Sequence, residues 1–505
     1  MRTAVALAAG VVLTVLAYPP TGLWPLAFVM LAPLAAWTDG ARPRHAFVCT
    51  WLYSVVMAAT LVRWLLHALV VEYEVAQAPA ALFLALLVGA YAVVPSTAVA
   101  LYARLAAGLG PVLAPLVFGA LYVSAEWLRA EPLRLPWILS GQTFTGVPIL
   151  LQTAEWGGVY APGFVAVLVS GSLGIALRRR DLRALIVPTA LLVLVVAFGA
   201  VRLSVPRDAG FSVKVGVVQT SVPPEEKFRP DSARRNLDRH IQLTSELVAE
   251  GALDLIVWSE TAVDADLDQT PGLAAALRGV AANSGALLLT GAPRSAEGRL
   301  TNAVVSFDAR GLRTSYDKQR LVPFSESDPE FVGFVAPLLG PVTEGDGYEP
   351  GDTPTVFDGL AVPFATPICF EITYPDLVRE FRSAGAELLV NLSNDAWFGR
   401  TGYADMHFGH AVLRAVELRT WIVRGANTGI SAVIDPAGRV IERLEVFETG
   451  TLRATVFAGG ATTVYARYGN APVLCALGAL VLVGAWRGLQ GRESDRGRTA
   501  LRPRS

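Results

Sequence analysis

Long apolar runs near both ends of the chain constrain its fold more than any other feature of the sequence. Residues 1–205 are a succession of hydrophobic runs separated by short loops, and one further run covers residues 471–486. Of the 505 residues, 53% are hydrophobic and 17% are charged, which is too apolar for a soluble enzyme. The composition therefore predicts a polytopic membrane protein.

The hydrophobic runs predict about eight transmembrane helices. The predicted spans cover residues 3–18, 23–38, 46–70, 79–103, 111–128, 158–177, 183–203 and 470–487. The first two are short for a hydrocarbon core about 30 Å thick, and they would form a tight hairpin that turns at residues 18–22. The alternative for the first run is a cleaved signal peptide, although no small-residue cleavage site follows it.

Arginine-rich segments set the predicted orientation. They lie at residues 39–45, 178–183 and 487–504, whereas the loop near Glu72-Tyr73-Glu74 on the opposite side is acidic. The positive-inside rule therefore predicts that both termini are cytoplasmic. A multi-pass protein of the cell (inner or plasma) membrane follows, with the segment before the last span on the extracytoplasmic, periplasmic side.

Four parts follow from this reading: a transmembrane helical domain at 1–205, an extracytoplasmic domain at 212–458, a last transmembrane helix at 470–487, and a basic cytoplasmic tail at 488–505. The extracytoplasmic segment is long enough for one sizeable core. The net charge is −1 and no basic stripe is present, so we expect no nucleic-acid partner.

Strands and amphipathic helices alternate in the extracytoplasmic segment. Predicted strands cover 213–219, 253–258, 286–290, 362–370 and 387–392, and predicted helices cover 232–250, 271–284 and 408–421. Hairpin turns are indicated at 308–311 and 435–438, where Asp and Gly take turn positions. This pattern predicts a layered α/β domain with mixed sheets and the helices outside.

Cys369 is the only cysteine between Phe211 and Phe457, so no disulfide partner is available within the domain. It is predicted to end a strand, just as Glu260 and Lys318 follow strands of their own. Each residue alone is explained by a surface charge or a core thiol. Together, a carboxylate that takes the thiol proton, a thiolate that attacks a carbonyl and an ammonium that stabilises the oxyanion form a complete catalytic set.

Four sequence blocks resemble the nitrilase (carbon–nitrogen hydrolase) superfamily and, within it, the apolipoprotein N-acyltransferases. They are Trp258-Ser259-Glu260, the lysine block at 316–326, Pro367-Ile368-Cys369-Phe370-Glu371, and Asn391–Gly399. The apolar frame, with its Pro136-Trp137 loop, extends the resemblance over nearly the whole chain. The resemblance implies an α-β-β-α sandwich for residues 212–458 beside the membrane helices.

The resemblance also implies roles for individual residues. The general base would be Glu260, the oxyanion partner Lys318 and the nucleophile Cys369, with Glu326 and Glu371 as supporting carboxylates. Further supporting residues would be Phe370, which stands where the family often has tyrosine, and two residues of mobile loops over the acyl pocket, Trp397 and Phe228.

The implied reaction is a ping-pong acyl transfer. A phospholipid acyl chain would be held as a Cys369 thioester and then passed to the α-amino group of the diacylglyceryl-cysteine of an apolipoprotein. The expected partners are these two substrates and membrane lipids, with no cofactor and no metal, and we expect a monomer. A membrane-tethered amidase that hydrolyses small amides, and a non-catalytic membrane scaffold, are the alternative functions.

Three other features allow more than one interpretation. The loop between Leu135 and Tyr160 is either an interfacial loop anchored by tryptophans or a lipid-facing wall beside the catalytic domain. Arg63 and Glu126 are ionisable residues in or near spans, where such groups pair or face a polar cavity. The pair His407 and His410 has the spacing of metal ligands, but no third ligand is evident in the sequence.

The predicted orientation is testable by labelling with a membrane-impermeant thiol reagent. In a variant with Cys49, Cys369 and Cys475 replaced, the reagent applied to intact cells or spheroplasts should modify Ser295→Cys, in the predicted polar turn 294–297, and should not modify Ser494→Cys. The reverse pattern would invert the protein and separate Cys369 from exported substrates.

Overall fold

The computed structural model describes residues 2–206, 208, 210–223, 226, 231–296, 298–323, 326, 347–459 and 462–500. The chain divides into two compact units. One contains Met1–Arg63, Ala81–Ser204 and Tyr468–Ser505, and the other contains Trp64–Ala80 and Val205–Arg467.

The first unit is helical. Its α-helices are Arg2–Ala17, Ala32–Thr38, Pro43–Leu61, Gln77–Leu105, Leu113–Ala130, Pro148–Leu151, Ala154–Gly157, Tyr160–Arg179, Ile186–Leu203 and Ala471–Ala500, the fourth of which begins in the other unit. Short 3-10 helices are Trp24–Phe28, Ala106–Gly108, Ser140–Phe144 and Leu182–Leu185. Proline begins several of these helices, where its fixed φ is favourable and no backbone N–H is needed.

Fewer helices than predicted are long and apolar enough to cross a membrane. Within the described residues there are four, Gln77–Gly108, Tyr160–Arg179, Leu182–Leu203 and Ala471–Gln490, or up to five if a bent pair counts as one span. The predicted spans at 3–18 and 23–38 are shorter apolar helices. The chain is a membrane protein with several apolar helices, and the predicted number of eight spans is not confirmed.

The predicted span at 46–70 is bent. Helices Pro43–Leu61 and Arg63–Glu72 meet at 56°, because Val62 between them leaves the helical conformation. The second helix is the α-helical turn Arg63–His67 continued by a π-helix at Ala68–Glu72. From Trp64 onwards this helix belongs to the α/β unit, so the span predicted at 46–70 is a bent pair of helices and is not confirmed as one span.

The loop at residues 135–160 is tied to the helix Leu113–Ala130 of the same unit. Glu126 accepts hydrogen bonds from Ser140 N at 3.1 Å and from Ser140 Oγ at 2.6 Å. Arg129 donates to the carbonyls of Leu135 at 3.1 Å and Ile138 at 2.9 Å. The buried Glu126 is therefore paired with the loop, whereas Arg63 is exposed.

The second unit contains two six-stranded sheets. The strands are β1 Phe211–Gln219, β2 Leu255–Val257, β3 Leu287–Ala296, β4 Arg299–Asp308, β5 Gly311–Asp317, β6 Val356–Phe357, β7 Phe364–Ala365, β8 Leu388–Ser393, β9 Ile422–Ala426, β10 Ser431–Ile434, β11 Val440–Leu444 and β12 Gly450–Ala458. Their orders are β12-β1-β2-β3-β4-β5 and β11-β10-β9-β8-β7-β6. Strands β1, β2 and β3 are parallel in the first sheet, and β7, β8 and β9 are parallel in the second. All other neighbouring pairs in the two sheets are antiparallel.

The sheets pack face to face with helices on their outer faces. Ser232–Ala249 and Pro271–Ser284 cover the first sheet in a core that includes Trp258 and Leu277. The helices that accompany the second sheet are Pro375–Ser383 and Tyr403–Leu418, and a short helix Val464–Tyr468 follows the last strand. A Cβ at Gly425 of β9 would lie 2.9 Å from Val257 of β2, so glycine permits the sheets to approach there. This is the predicted α-β-β-α sandwich.

One strand prediction failed where it bears on the site. Residues 362–370 were predicted as one strand ending at Cys369, but the structure has the two-residue strand β7 and a single bridge between Ile368 and Leu392. Pro363 and Pro367 explain the interruption, because proline donates no ladder hydrogen bond. Cys369 instead begins a 3-10 helix that ends at Thr373.

Two smaller differences concern element ends. The helix predicted at 408–421 runs from Tyr403 to Leu418. Ser295, predicted to lie in a turn, belongs to β3, and its hydroxyl contacts Asp266. Ala309, exposed in the turn between β4 and β5, is therefore a second position for the labelling experiment.

Candidate active site

Glu260 lies three residues after the end of β2, and Trp258 and Ser259 connect it to that strand. Gly291 of β3 lies directly beneath it and donates its N–H to Ser259 O at 3.2 Å. A Cβ at Gly291 would lie only 2.8 Å from Cα of Glu260, so glycine is required there by the close approach of the two segments. The Glu260 carboxylate is buried, with 5% of its side chain exposed.

Lys318 follows β5 and binds two carboxylates at once. Its Nζ lies 2.9 Å from Glu260 Oε1 and 2.8 Å from Glu326 Oε1, and its side chain is 1% exposed. Asn302 of β4 makes the same pair of contacts, since its Nδ2 donates to Glu260 Oε1 at 2.9 Å and to Glu326 Oε1 at 2.7 Å. Two donors and two acceptors thus form a closed ring that holds Glu260 and Lys318 in one geometry.

The charges of this ring act on the pKa values of both Lys318 and Cys369. Burial would lower the pKa of Lys318, but the charges of Glu260 and Glu326 raise it well above its ordinary value, so the lysine stays an ammonium. Burial raises the pKa of the Cys369 thiol most, and the negative charge of Glu260 raises it further. The positive charge of Lys318 lowers it. The resting cysteine is therefore a thiol, and its use as a nucleophile would require a base to remove its proton.

The turn at residues 368–373, called the nucleophile turn below because it carries the predicted nucleophile, differs most from the predicted strand. Cys369 has a φ of +48°, in the left-handed region that residues other than glycine seldom adopt. The turn places the thiol at the end of the second sheet, where the charges of Glu260 and Lys318 act on it. The three residues predicted as a catalytic set are thus brought together, although they come from two different sheets.

Glu371 joins the nucleophile turn to the lysine loop. Its Oε2 accepts from Ile368 N at 2.7 Å, and its Oε1 accepts from Gln319 N at 2.7 Å, Arg320 N at 3.0 Å and Tyr316 Oη at 2.8 Å. Burial raises the pKa of Glu371 to about 7, and the backbone donors of Ile368 and Arg320 oppose that rise. Both predicted supporting carboxylates therefore lie in the site, Glu326 against Lys318 and Glu371 behind Cys369.

A second charged cluster behind Cys369 was not predicted. Asp395 accepts from Arg424 Nη2 at 2.9 Å and lies 2.9 Å from His407 Nδ1, and His407 Nε2 lies 3.0 Å from the carbonyl oxygen of Cys369. All three side chains are buried. Asp395 lies in the quoted block 391–399, but nothing in the sequence indicates that Arg424 and His407 meet it, because the contacts join three separate elements.

His407 thus has a different environment from the metal-ligand pair considered from the sequence. It points to Asp395 and the nucleophile turn, whereas His410 is one turn further along the same helix. Within the part of the chain that the structure describes, no group of three or more His, Cys, Asp or Glu side chains is arranged to hold a metal ion.

The remaining predicted residues are only partly described. Phe228 lies outside the described residues. Trp397 lies in the short helix Ala396–Phe398, and the structure describes the backbone of Trp397 but not its side chain. Phe370 is half-buried, with its ring 5.2 Å from that of Tyr374.

Trp64 of the bent helix packs next to the turn that carries Trp397. Its ring lies 5.2 Å from Phe398 and 4.8 Å from Tyr403, and the rings of Phe398 and Tyr403 stack at 3.6 Å. Gly399 ends this turn with a φ of +50°. A Cβ there would lie 2.7 Å from Nε2 of His67 in the same bent helix, so the turn and the helix fit closely.

Comparison with known proteins identifies both parts of the chain. Residues 9–172 match the family model described as the apolipoprotein N-acyltransferase N-terminal domain, and residues 214–464 match the one described as carbon–nitrogen hydrolase. Among solved structures, a mutant of the Nesterenkonia AN1 amidase from the nitrilase superfamily is similar at 19% identity with a TM-score of 0.38, over 50% of this chain and 93% of that chain.

Relatives named apolipoprotein N-acyltransferase match almost the full length. The protein from Pseudomonas paraeruginosa (strain DSM 24068 / PA7) is 31% identical over 97% of this chain and 96% of its own length. The chain belongs to the apolipoprotein N-acyltransferase family. Other similar N-acyltransferases come from Azotobacter vinelandii (32% identical, 96% of this chain, 95% of the relative) and Geobacter metallireducens (29%, 93% and 92%).

The ring around Lys318 predicts that positive charge alone is not sufficient in this acyltransferase. We expect Lys318→Arg to lower the rate of thioester formation by about 10²-fold or more, nearly as much as Lys318→Ala, because a wide planar guanidinium cannot replace a compact ammonium at 1% exposure. The measurement is the single-turnover rate with a phospholipid donor. Lys214→Arg, at an exposed lysine of β1, is the matched control. A Lys318→Arg rate within a few-fold of wild type would contradict this role.

Proposed function

We propose that this chain transfers a phospholipid acyl chain, through a thioester on Cys369, to the α-amino group of the diacylglyceryl-cysteine of apolipoproteins. The observation that carries the assignment of the site is the buried Cys369 thiol beside the Glu260–Lys318 pair. The relatives' shared name, over nearly the full chain length, supports the choice of an N-acyltransferase over an amidase.

The first half-reaction forms the thioester. Glu260 takes the proton from Cys369, and the thiolate attacks the ester carbonyl of the phospholipid. The negative charge that develops on the carbonyl oxygen is stabilised by the Lys318 ammonium. When the tetrahedral intermediate collapses, the C–O bond breaks, the proton on Glu260 passes to the departing alkoxide, and a lysophospholipid leaves.

The second half-reaction consumes the thioester. The α-amino group of the diacylglyceryl-cysteine attacks the thioester carbonyl, and Glu260 accepts a proton from that nitrogen. The C–S bond breaks, the thiolate leaves, and the proton on Glu260 returns it to the thiol. Glu260 thus acts as base and acid in each half-reaction, and the enzyme finishes in its starting protonation state.

Both proposed substrates are held in the bilayer by their acyl chains, which explains why a catalytic domain of this kind is joined to apolar helices. We infer a cell-membrane protein with the catalytic domain (212–458) on the periplasmic side, between the helical domain (1–205) and a last span (470–487). The basic tail (488–505) would then be cytoplasmic. The distribution of arginine supports this orientation.

Replacement of the nucleophile tests the proposed function. We expect Cys369→Ala and Cys369→Ser to fold normally and to transfer labelled acyl chains from phospholipid to a diacylglyceryl-modified apolipoprotein only at background rates. The serine variant fails because Glu260 is too weak a base for a hydroxyl of high pKa.

The two other cysteines supply matched controls. Cys49→Ala replaces a buried thiol and Cys475→Ala an exposed one, both in the helical unit, and both variants should keep full transfer activity. Substantial turnover by either Cys369 variant would overturn the assignment. An enzyme that releases free fatty acid or hydrolyses small amides at the same rate with and without apolipoprotein would instead be a hydrolase.

A further inference from the structure

Ser393 is the last residue of β8, and its hydroxyl lies between two different partners. Its Oγ is 3.4 Å from Cys369 Sγ and 2.8 Å from Asp395 Oδ1, and the side chain is fully buried. A serine hydroxyl carries a single proton, so it donates to one of these partners at a time. Which partner receives the proton depends on the charge of each.

In the resting site the proton belongs to the bond with Asp395. Burial would raise the pKa of Asp395, but the charge of Arg424 and the hydrogen bond with His407 hold it well below its usual range, so the carboxylate is ionised and only accepts hydrogen bonds. Ser393 therefore donates to Asp395. Its oxygen lone pair faces the Cys369 thiol, which is a weak S–H donor.

The balance changes when the thiolate forms. The thiol proton passes to Glu260, and Sγ becomes a negatively charged acceptor 3.4 Å from Ser393 Oγ. A rotation of the hydroxyl about its Cβ–Oγ bond is sufficient to point its proton at Sγ, and no heavy atom has to move. Asp395 meanwhile keeps its contacts with Arg424 and His407, so it is not left as an unpaired buried charge.

We propose that Ser393 is a further catalytic residue, whose hydroxyl transfers its hydrogen bond from Asp395 to the Cys369 sulfur when the thiolate forms. The bond returns to Asp395 when the sulfur is acylated and loses its charge. This inference rests on the proposed role of Cys369 as nucleophile. Asp395, Arg424 and His407 act through Ser393 and are positioning residues, which fix the hydroxyl beside the sulfur.

The groups that face Cys369 come from every element packed around it. Glu260 and Lys318 act on it from the first sheet, Asp395 from the end of β8, and Tyr403 and His407 from the helix Tyr403–Leu418. Burial raises the pKa of Tyr403 well above 10 and lowers that of His407, and Asp395 stays ionised. The Cys369 thiol is therefore the group whose titration Ser393 shifts.

The test measures the thiolate directly, without acyl transfer. In the full-length protein in detergent, the rate of Cys369 alkylation by iodoacetamide is followed by peptide mass spectrometry across a pH series. We expect Ser393→Ala to raise the apparent midpoint by about one pH unit, the value of one lost hydrogen bond to a charged group. Ser393→Thr, which keeps the hydroxyl, should return the midpoint towards that of the wild type.

Ser431→Ala is the matched control, because Ser431 is a fully buried serine of the same sheet whose Oγ accepts from Ala426 N at 2.9 Å. It should lower the Tm without moving the midpoint. A Ser393→Ala midpoint equal to that of the wild type would overturn the proposal, as would a Ser393→Thr variant that keeps the wild-type Tm and the alanine midpoint. Failure of the acyltransferase assignment would appear separately, as transfer activity in Cys369→Ala.

Discussion

The contact of one buried lysine with two buried carboxylates is the interaction on which the catalytic unit depends. An ammonium at 1% exposure is stable only when it is paired and hydrogen-bonded, and Lys318 meets this condition through Glu260 and Glu326. The contact requires that the ends of β2 and β5 meet the segment that carries Glu326, with Asn302 of β4 beside them. The ring carries one excess negative charge. In the proposed mechanism Glu260 takes the thiol proton, so that charge moves to the sulfur and the net buried charge stays the same.

Cys369, the proposed nucleophile, comes from the other sheet, so the two halves of the sandwich have to be held in register. Glu371 does this with one side chain, since its carboxylate accepts from Ile368 on the nucleophile turn and from Tyr316, Gln319 and Arg320 near the lysine. Cys369 has a positive φ, and Nε2 of His407 lies behind it, 3.0 Å from its carbonyl oxygen. A strained turn of this kind persists only where its surroundings over-determine it.

Much of this arrangement could be predicted from the sequence, and the failures have physical causes. Period-two alternation and Asp/Gly turns were sufficient for β1 and for both hairpins, and strand ends indicated Glu260 and Lys318. The prediction of a strand through Cys369 was wrong. The apolar residues around Pro363 and Pro367 match the pattern of a strand, but the two prolines interrupt the hydrogen-bond ladder. The bend in the span predicted at 46–70 was missed because hydropathy reports composition and does not register the change of direction at Val62. Asn302, Ser393 and Arg424 were missed because their roles depend on long-range contacts that no local pattern contains.

The central claim is that Cys369 carries the acyl group between the two substrates. The most direct measurement is the mass of the Cys369 peptide after the purified protein has been incubated with phospholipid alone. The account predicts a mass increase equal to one fatty-acyl chain on Cys369, which hydroxylamine removes and which disappears when a diacylglyceryl-modified apolipoprotein is added. An unmodified Cys369 peptide in a preparation that transfers acyl chains at its normal rate would contradict the account.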